Sequence, residues 1–154
     1  MQYWLMKSEP GTYSIEDLQG MPGQSDHWDG VRNYQARNMM RDQMKVGDRA
    51  FFYHSNTKDP GIVGIVEVVR EGYPDYTALD PESDYYDPKS SAEDPRWYMV
   101  DVRYIRHLRR PIGLAELKRH QFLRDMPLLR RGNRLSIMPV SEEEWHYILK
   151  LEKT

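Results

Sequence analysis

Apolar residues in this chain fall into short runs divided by turn residues. Tyr3-Trp4-Leu5-Met6-Lys7 stops at Pro10-Gly11, which predicts a strand ended by a turn. Ser14 predicts a cap for a brief helix through Ile15-Glu16-Asp17-Leu18, with carboxylates in the first turn where the helix dipole favours them. Gly20 and Pro22 end it. Between Asn33 and Met44 the apolar Ala36, Met39, Met40 and Met44 recur at helical spacing, with Arg37 and Arg41 on another face, as in an amphipathic helix. Arg49-Ala50-Phe51-Phe52-Tyr53 and the β-branched run Ile62 to Val69 predict neighbouring strands around a polar tip from His54 to Gly61. Trp97 to Ile105 reads as a strand, Leu114 to Lys118 as a helix and Leu135 to Val140 as a strand. Ser141 with Glu144 makes a capping box for a last helix to Leu151.

The stretch from Glu71 to Asp94 breaks this rhythm. It holds Pro74, Pro81 and Pro88 and eight acids against Lys89 alone, and it is too long for an ordinary connection, so it predicts a functional loop or a mobile flap. Short strands with helices between them, and no repeats, predict an α+β fold on a curved or closed antiparallel sheet. The 154 residues suit one domain over 1–154.

Composition narrows the chemistry. A formal net charge of -2 means that bulk attraction to a polyanion cannot dominate, so a nucleic-acid site has to be a local patch or pocket. One such patch is legible: from Arg96 to Arg134 eleven Lys or Arg face only Asp101, Glu116 and Asp125, an excess of eight positive charges. It reads equally as a phosphate-facing surface, since Arg forks match phosphate oxygens, or as a solvated face paired with the acidic loop. With no cysteine there is no disulfide framework, thiolate zinc site or thiol nucleophile. The start Met1-Gln2-Tyr3-Trp4 lacks the basic-then-apolar pattern of a signal peptide, and no run reaches the length of a membrane helix. The expectation is a soluble, unexported protein.

His27, His54, His107, His120 and His146 show no metal-ligand spacing, neither Ser8 nor Ser55 sits in a nucleophile elbow, and no phosphate-cradling glycine loop is present. What stands out instead is the density of polar and aromatic residues in Lys7-Ser8-Glu9-Pro10, Trp28-Asp29-Gly30-Val31-Arg32-Asn33-Tyr34 and Phe52-Tyr53-His54-Ser55-Asn56. A pocket for one planar base needs an apolar face and a few donors and acceptors at its edge, and these segments hold both. Trp28 in its loop reads equally as a hydrophobic plug or a stacking platform. Asn33 reads as a helix cap or an edge reader, Tyr53 and His54 as side chains displayed at a strand tip, and Trp4 and Trp145 as core.

Those segments, with Gln35-Ala36-Arg37-Asn38 after Tyr34, together with Gly61-Ile62-Val63-Gly64, Tyr73-Pro74-Asp75, Pro95-Arg96-Trp97 and Arg134-Leu135-Ser136 before Pro139-Val140, resemble the EVE domain family over nearly the whole chain. The resemblance implies a PUA-like fold, a curved β-barrel with short helices across its openings, related to the YTH domain that recognises methylated adenine in RNA. It implies a reader of modified bases, modified cytosines in DNA among them. Its partner would be DNA or RNA carrying such a base, with no membrane, metal, cofactor or catalytic residue involved. Eukaryotic relatives carry a basic tail ahead of the domain, so this chain is expected to be cytoplasmic and bacterial, or nuclear if eukaryotic.

On that resemblance Ser8, Trp28, Asn33, Tyr53, His54, Ser55, Trp97, Arg134 and Ser136 surround the pocket, with Lys7, Glu9 and Arg37 next to them. Trp28 and Trp97 would be faces for a flipped base, Ser8, Asn33 and Ser55 would read its edge, and Arg96, Arg103, Arg130 and Arg131 would hold flanking phosphates. The alternative is a hydrolase acting on a modified nucleoside, as in the related ASCH domains, for which Lys7, Ser8 and Glu9 are suitable residue types. Neighbouring positions on a strand point to opposite faces, however, so these three converge only if the Pro10 turn redirects one.

Overall fold

The computed structural model describes residues 1–154. The opening run forms strand β1 (Tyr3–Ser8), followed by helix α1 (Ile15–Gln19) and a short strand β2 (Ser25–His27). Ser14 caps α1 as expected: its hydroxyl accepts from the Asp17 N–H at 3.1 Å, and the Asp17 carboxylate accepts from the Ser14 N–H at 2.8 Å. The Asn33–Met44 segment is helical, but as α2 (Tyr34–Asn38) running into a wider turn at Met39–Gln43. There Met44 N–H donates to the Met39 carbonyl at 2.9 Å, an i to i+5 bond that keeps Met44 turned inward with Met39 and Met40. Strands β3 (Arg49–His54), β4 (Gly61–Pro74) and β5 (Tyr98–Gly113) follow, then α3 (Leu114–Lys118), β6 (Ile137–Val140) and α4 (Glu142–Leu151), which carries the Ser141–Glu144 capping box.

All six strands join one sheet in the order β2-β5-β4-β3-β1-β6. Its pairs are antiparallel except β1 with β3, which is parallel with Tyr3 opposite Arg49. The connection between them explains this, because α1, β2 and α2 provide the long crossover that parallel strands need. Four register irregularities between β4 and β5 mark bulges, which bend and twist a sheet, and here they curve it. The sheet separates two apolar clusters. Trp4, Met6, Ala50 and Phe52 project to one side with Trp28, Met39, Met40 and Met44, while Leu5, Phe51 and Tyr53 project to the other with Trp145 and Ile148. Strands β1 and β3 are thus buried on both faces, which is why their sequences are continuous apolar runs rather than alternating ones.

The acidic stretch begins later than its composition suggests, since β4 runs on to Pro74. Beyond it the chain is tied down. Asp75 accepts from the Gly30 N–H at 2.9 Å, the Tyr85 carbonyl accepts from Arg32 at 2.6 Å, and the Trp97 indole N–H donates to Asp87 at 2.7 Å. Those bonds favour the functional-loop reading over the flap.

Candidate functional site

Strand β1 ends where β2 turns into Trp28-Asp29-Gly30, and between them lies a cavity of about 470 Å³. Its walls come from five separate segments: Lys7 to Glu9, Thr12 with Tyr13, Asp26 to Arg32, Tyr85, and Ser136. Hydrogen bonds lock these segments together. The Ser8 hydroxyl donates to the Tyr13 carbonyl at 2.6 Å, the Tyr13 hydroxyl donates to Asp26 at 2.7 Å, and Lys7 N–H donates to the Ser136 carbonyl at 2.8 Å.

Trp28 is buried but borders the cavity, and its ring stands edge-to-face on Phe52 with centroids 5.4 Å apart. It is therefore both plug and wall. Gly30 lies at φ +79°, and a Cβ there would come within 2.6 Å of the Tyr85 ring, so only glycine lets that ring rest against the backbone. Arg32 is held by Asp75 at 3.1 Å and by the Tyr85 carbonyl, with its guanidinium 5.7 Å from the Tyr85 ring and 5.3 Å from the Trp97 ring.

The remaining polar groups are mostly acceptors. Asp26 lies 3.2 Å from His27, which reaches toward Asp29 at 3.6 Å. Burial pushes the Asp29 carboxyl above its ordinary value, with Asp75 adding to the rise and His27 opposing it. Burial acts on Asp75 in the same direction, but Thr77, the Gly30 N–H and Arg32 outweigh it and hold that carboxyl below the usual range. Asp75 is structural, and Asp29 is the acid left under-partnered in the cavity. Lys7 is half-withdrawn from water, and burial lowers its ammonium from the ordinary lysine value.

Of the residues expected at the site, Lys7, Ser8, Glu9, Trp28 and Ser136 line this cavity. Asn33, Arg130, Arg131 and Arg134 line a second concavity of about 400 Å³. The others lie in neither. Tyr53 is not displayed at a strand tip but packed into the core on the far side of the sheet, because β3 is covered on both faces. The His54 Nε2 accepts from the Ile15 N–H at 3.1 Å and so serves the start of α1, and burial keeps its imidazole less basic than usual. Ser55 N–H donates to the Ser8 carbonyl at 3.0 Å.

Trp97 stacks on Tyr34 with centroids 4.8 Å apart, behind Arg32, so Trp28 and Trp97 do not form two faces of one slot. Arg37 donates to the Arg96 carbonyl at 2.9 Å and leans on Tyr34. Arg103 lies 3.4 Å from Glu67 on β4. Asn33 takes its capping role, its side-chain oxygen accepting from Ala36 N–H at 2.9 Å.

Sequence reasoning passed over Asp26, Asp29, Arg32, Tyr13 and Tyr85. Asp29 and Arg32 sit inside the most specific of the matched strings, where their charge beside Trp28 was the available signal. Tyr85 carries no local signal at all.

Solved structures and known sequences bear on this geometry. A Pseudomonas syringae protein superposes with a TM-score of 0.93 at 49% identity, covering 97% of this chain and 99% of that one. Human THYN1, solved in complex with 5-methylcytosine-containing DNA, superposes with a TM-score of 0.94 at 47% identity, covering 100% of this chain and 99% of that one. A Zymomonas mobilis ASCH protein shares the fold alone, with a TM-score of 0.57 at 11% identity. Thymocyte nuclear protein 1 of Mus musculus is 50% identical over 169 residues, which span 99% of this chain and 74% of that protein. Since the EVE domain profile also matches residues 2–151, the strings around Trp28 and the sheet that carries them are those of a family, and this chain belongs to the EVE domain family.

Proposed function

We propose that this chain binds nucleic acid and houses one modified base, flipped out of its stack, in the cavity at the end of β1, leaving the base chemically unchanged. The observation that carries this reading is the cavity itself, whose lining combines the Trp28 indole with the carboxylates of Asp26 and Asp29. A carboxylate accepts a hydrogen bond from the exocyclic amino group of cytosine, and the keto oxygen of uracil or thymine at that position offers it none. That leaves the bases with an exocyclic amino group, and the 5-methylcytosine in the human THYN1 complex favours a modified cytosine among them.

Energetics set the size of the effect. Stacking on an aromatic ring contributes roughly 1–3 kcal/mol per base, and burying one methyl adds about 0.8 kcal/mol. The methyl alone thus yields about a fourfold preference. A buried hydrogen bond left unmade costs roughly 1–3 kcal/mol, so base identity is read mainly at the edge.

The hydrolase alternative has less support. The Ser8 hydroxyl is spent on the Tyr13 carbonyl, Glu9 is held by the Asn56 amide at 2.6 Å, and the ASCH likeness reaches the fold only. On the reader model the protein works where its partner is, in the cytoplasm of a bacterium or the nucleus of a eukaryote.

Titrating short oligonucleotides carrying 5-methylcytosine, cytosine or thymine at one position tests the proposal. The parent protein should rank them in that order, and Trp28→Ala should lose roughly 5- to 150-fold on the first. Equal affinities for all three, unchanged in the variant, would overturn it.

A further inference from the structure

The second concavity is chemically unlike the first. Its nine lining residues include Arg130, Arg131 and Arg134 and no Asp or Glu. Other guanidiniums of the same basic stretch are spent inside the molecule, Arg106 on Glu152 at 2.8 Å and Arg110 on Glu116 at 2.7 Å, whereas the unpaired Arg96, Arg109 and Arg119 line neither concavity. Arg130, Arg131 and Arg134 are all exposed, and their guanidiniums make no ion pair and donate no side-chain hydrogen bond. Three like charges on five consecutive residues repel one another, and the fold supplies no counter-charge.

The loop that presents them is nevertheless built. The Asn133 amide donates to the Pro127 carbonyl, its oxygen accepts from the Leu135 N–H at 2.9 Å, and Gly132 turns the chain at φ +79°. A loop held in shape around unneutralised guanidiniums is arranged for an anion from outside.

Position says which anion. The groove meets the base cavity on two segments, where Arg32 of the cavity precedes Asn33 of the groove and Leu135 of the groove precedes Ser136 of the cavity. Consecutive Cα atoms are about 3.8 Å apart, so the two sites are contiguous. The cavity's edge of Glu9, Asp26 and Asp29 repels phosphate and admits an uncharged base. The sugar-phosphate chain attached to that base must then run along a neighbouring surface. Arginine forks suit phosphate oxygens in pairs.

We propose that the groove between the start of α2 and the Pro127–Leu135 loop is a second binding site, for the phosphodiester backbone next to the flipped base. It carries affinity without base identity. The assignment keeps Arg130 and Arg131 from the sequence expectation, adds Arg134, and leaves out Arg103, which lies 3.4 Å from Glu67, and Arg96, which lines neither concavity; it rests on the nucleic-acid reading above.

The test is the triple variant R130Q/R131Q/R134Q, titrated over a range of salt against duplex DNA with one 5-methylcytosine, the same duplex unmodified, and RNA of the same sequence. If each arginine meets one phosphate, the plot of log affinity against log salt becomes shallower by roughly 2–3, and binding at 0.1 M salt weakens on the order of 100-fold. The loss should be equal for modified and unmodified DNA, leaving their affinity ratio as in the parent, and the thermal unfolding midpoint should not fall.

A salt slope that drops only for DNA, or only for RNA, identifies which backbone the groove takes. A slope unchanged on both, in a folded variant, overturns the groove while leaving the cavity reading standing. A slope that drops while the parent shows no preference for the modified base supports the groove and overturns the cavity reading. A parent protein that binds none of the three overturns both.

Discussion

Two carboxylates in this molecule are drawn out of water, with opposite results. Glu152, just past the end of α4, accepts two hydrogen bonds from Arg106 at 2.9 and 2.8 Å and a third from the Arg109 N–H at 2.7 Å. The Arg106 guanidinium holds it below the usual carboxylate range despite its burial. Asp29 is pushed the other way, because burial withdraws it from water while its nearest cation is a histidine at 3.6 Å. A carboxylate fully satisfied by its own chain has nothing left to offer a ligand and closes the C-terminal end onto β5. One that is partly buried and under-satisfied gains a partner when a hydrogen-bond donor arrives. The same contrast runs through the arginines, between Arg106 in its pair and Arg130, Arg131 and Arg134 in the groove.

Breaking the satisfied site should cost most. Arg106→Gln leaves Glu152 buried with a single backbone donor, and because the Arg106 side chain is itself 43% exposed, stability should fall by about 2 kcal/mol, between the exposed and fully buried cases, measured by urea unfolding. The sign with pH follows from the depressed value of Glu152. Its contribution is fully present above the ordinary value near 4.5 and is lost as pH falls through the lower value of the folded state. In the variant that acid-side loss should flatten, because its main cause is gone. Base binding should not change, since neither residue touches either concavity. A variant as stable as its parent would show that the pair is not the lock it appears from its geometry.

At the under-satisfied site the larger effect belongs to binding. Asp29→Asn keeps the shape of the side chain but replaces a pure acceptor with a group that also donates. Affinity for a cytosine-type base should fall by roughly 1–3 kcal/mol, about 5- to 150-fold, and the preference over thymine should shrink or reverse. Equal loss on both bases would mean that Asp29 shapes the cavity rather than reading the edge.

What local sequence disclosed and what it hid divide along the same line. The apolar runs of β1 and β3, the caps at Ser14 and Ser141, and the strings around Ser8, Trp28 and Ser136 are local signals, and each leads to its element or to the cavity wall. The parallel pairing of β1 with β3 is not local, since it depends on where a crossover of some forty residues returns. Tyr53 shows how this misleads: it ends an apolar run, yet the core beyond the sheet covers it. The charge run was legible as charge only. That Arg106 is neutralised by Glu152, while Arg130 is not neutralised at all, is decided by a residue near the C-terminus. Asp29 is legible as an acid, but its partial burial arises only when separate segments close around the cavity, which no spacing in the sequence announces.

The smallest effect separates the two acids most sharply, because it asks only for a sign. A carboxyl whose folded value lies above its unfolded one binds more protons when folded, so between those values stability falls as pH rises. Asp29 therefore costs nothing while protonated and destabilises the free protein once ionised. Asp29→Asn removes that cost. Variant and parent should be equally stable below the ordinary carboxylate range, and the variant should gain as pH rises, levelling off at no more than about 0.5 kcal/mol. Paired urea titrations at about pH 3 and about pH 7 read the difference directly. If the variant loses ground as pH rises, then His27 stabilises ionised Asp29 much as Arg106 stabilises Glu152, and the cavity acid is one more internal lock with nothing held open for a base.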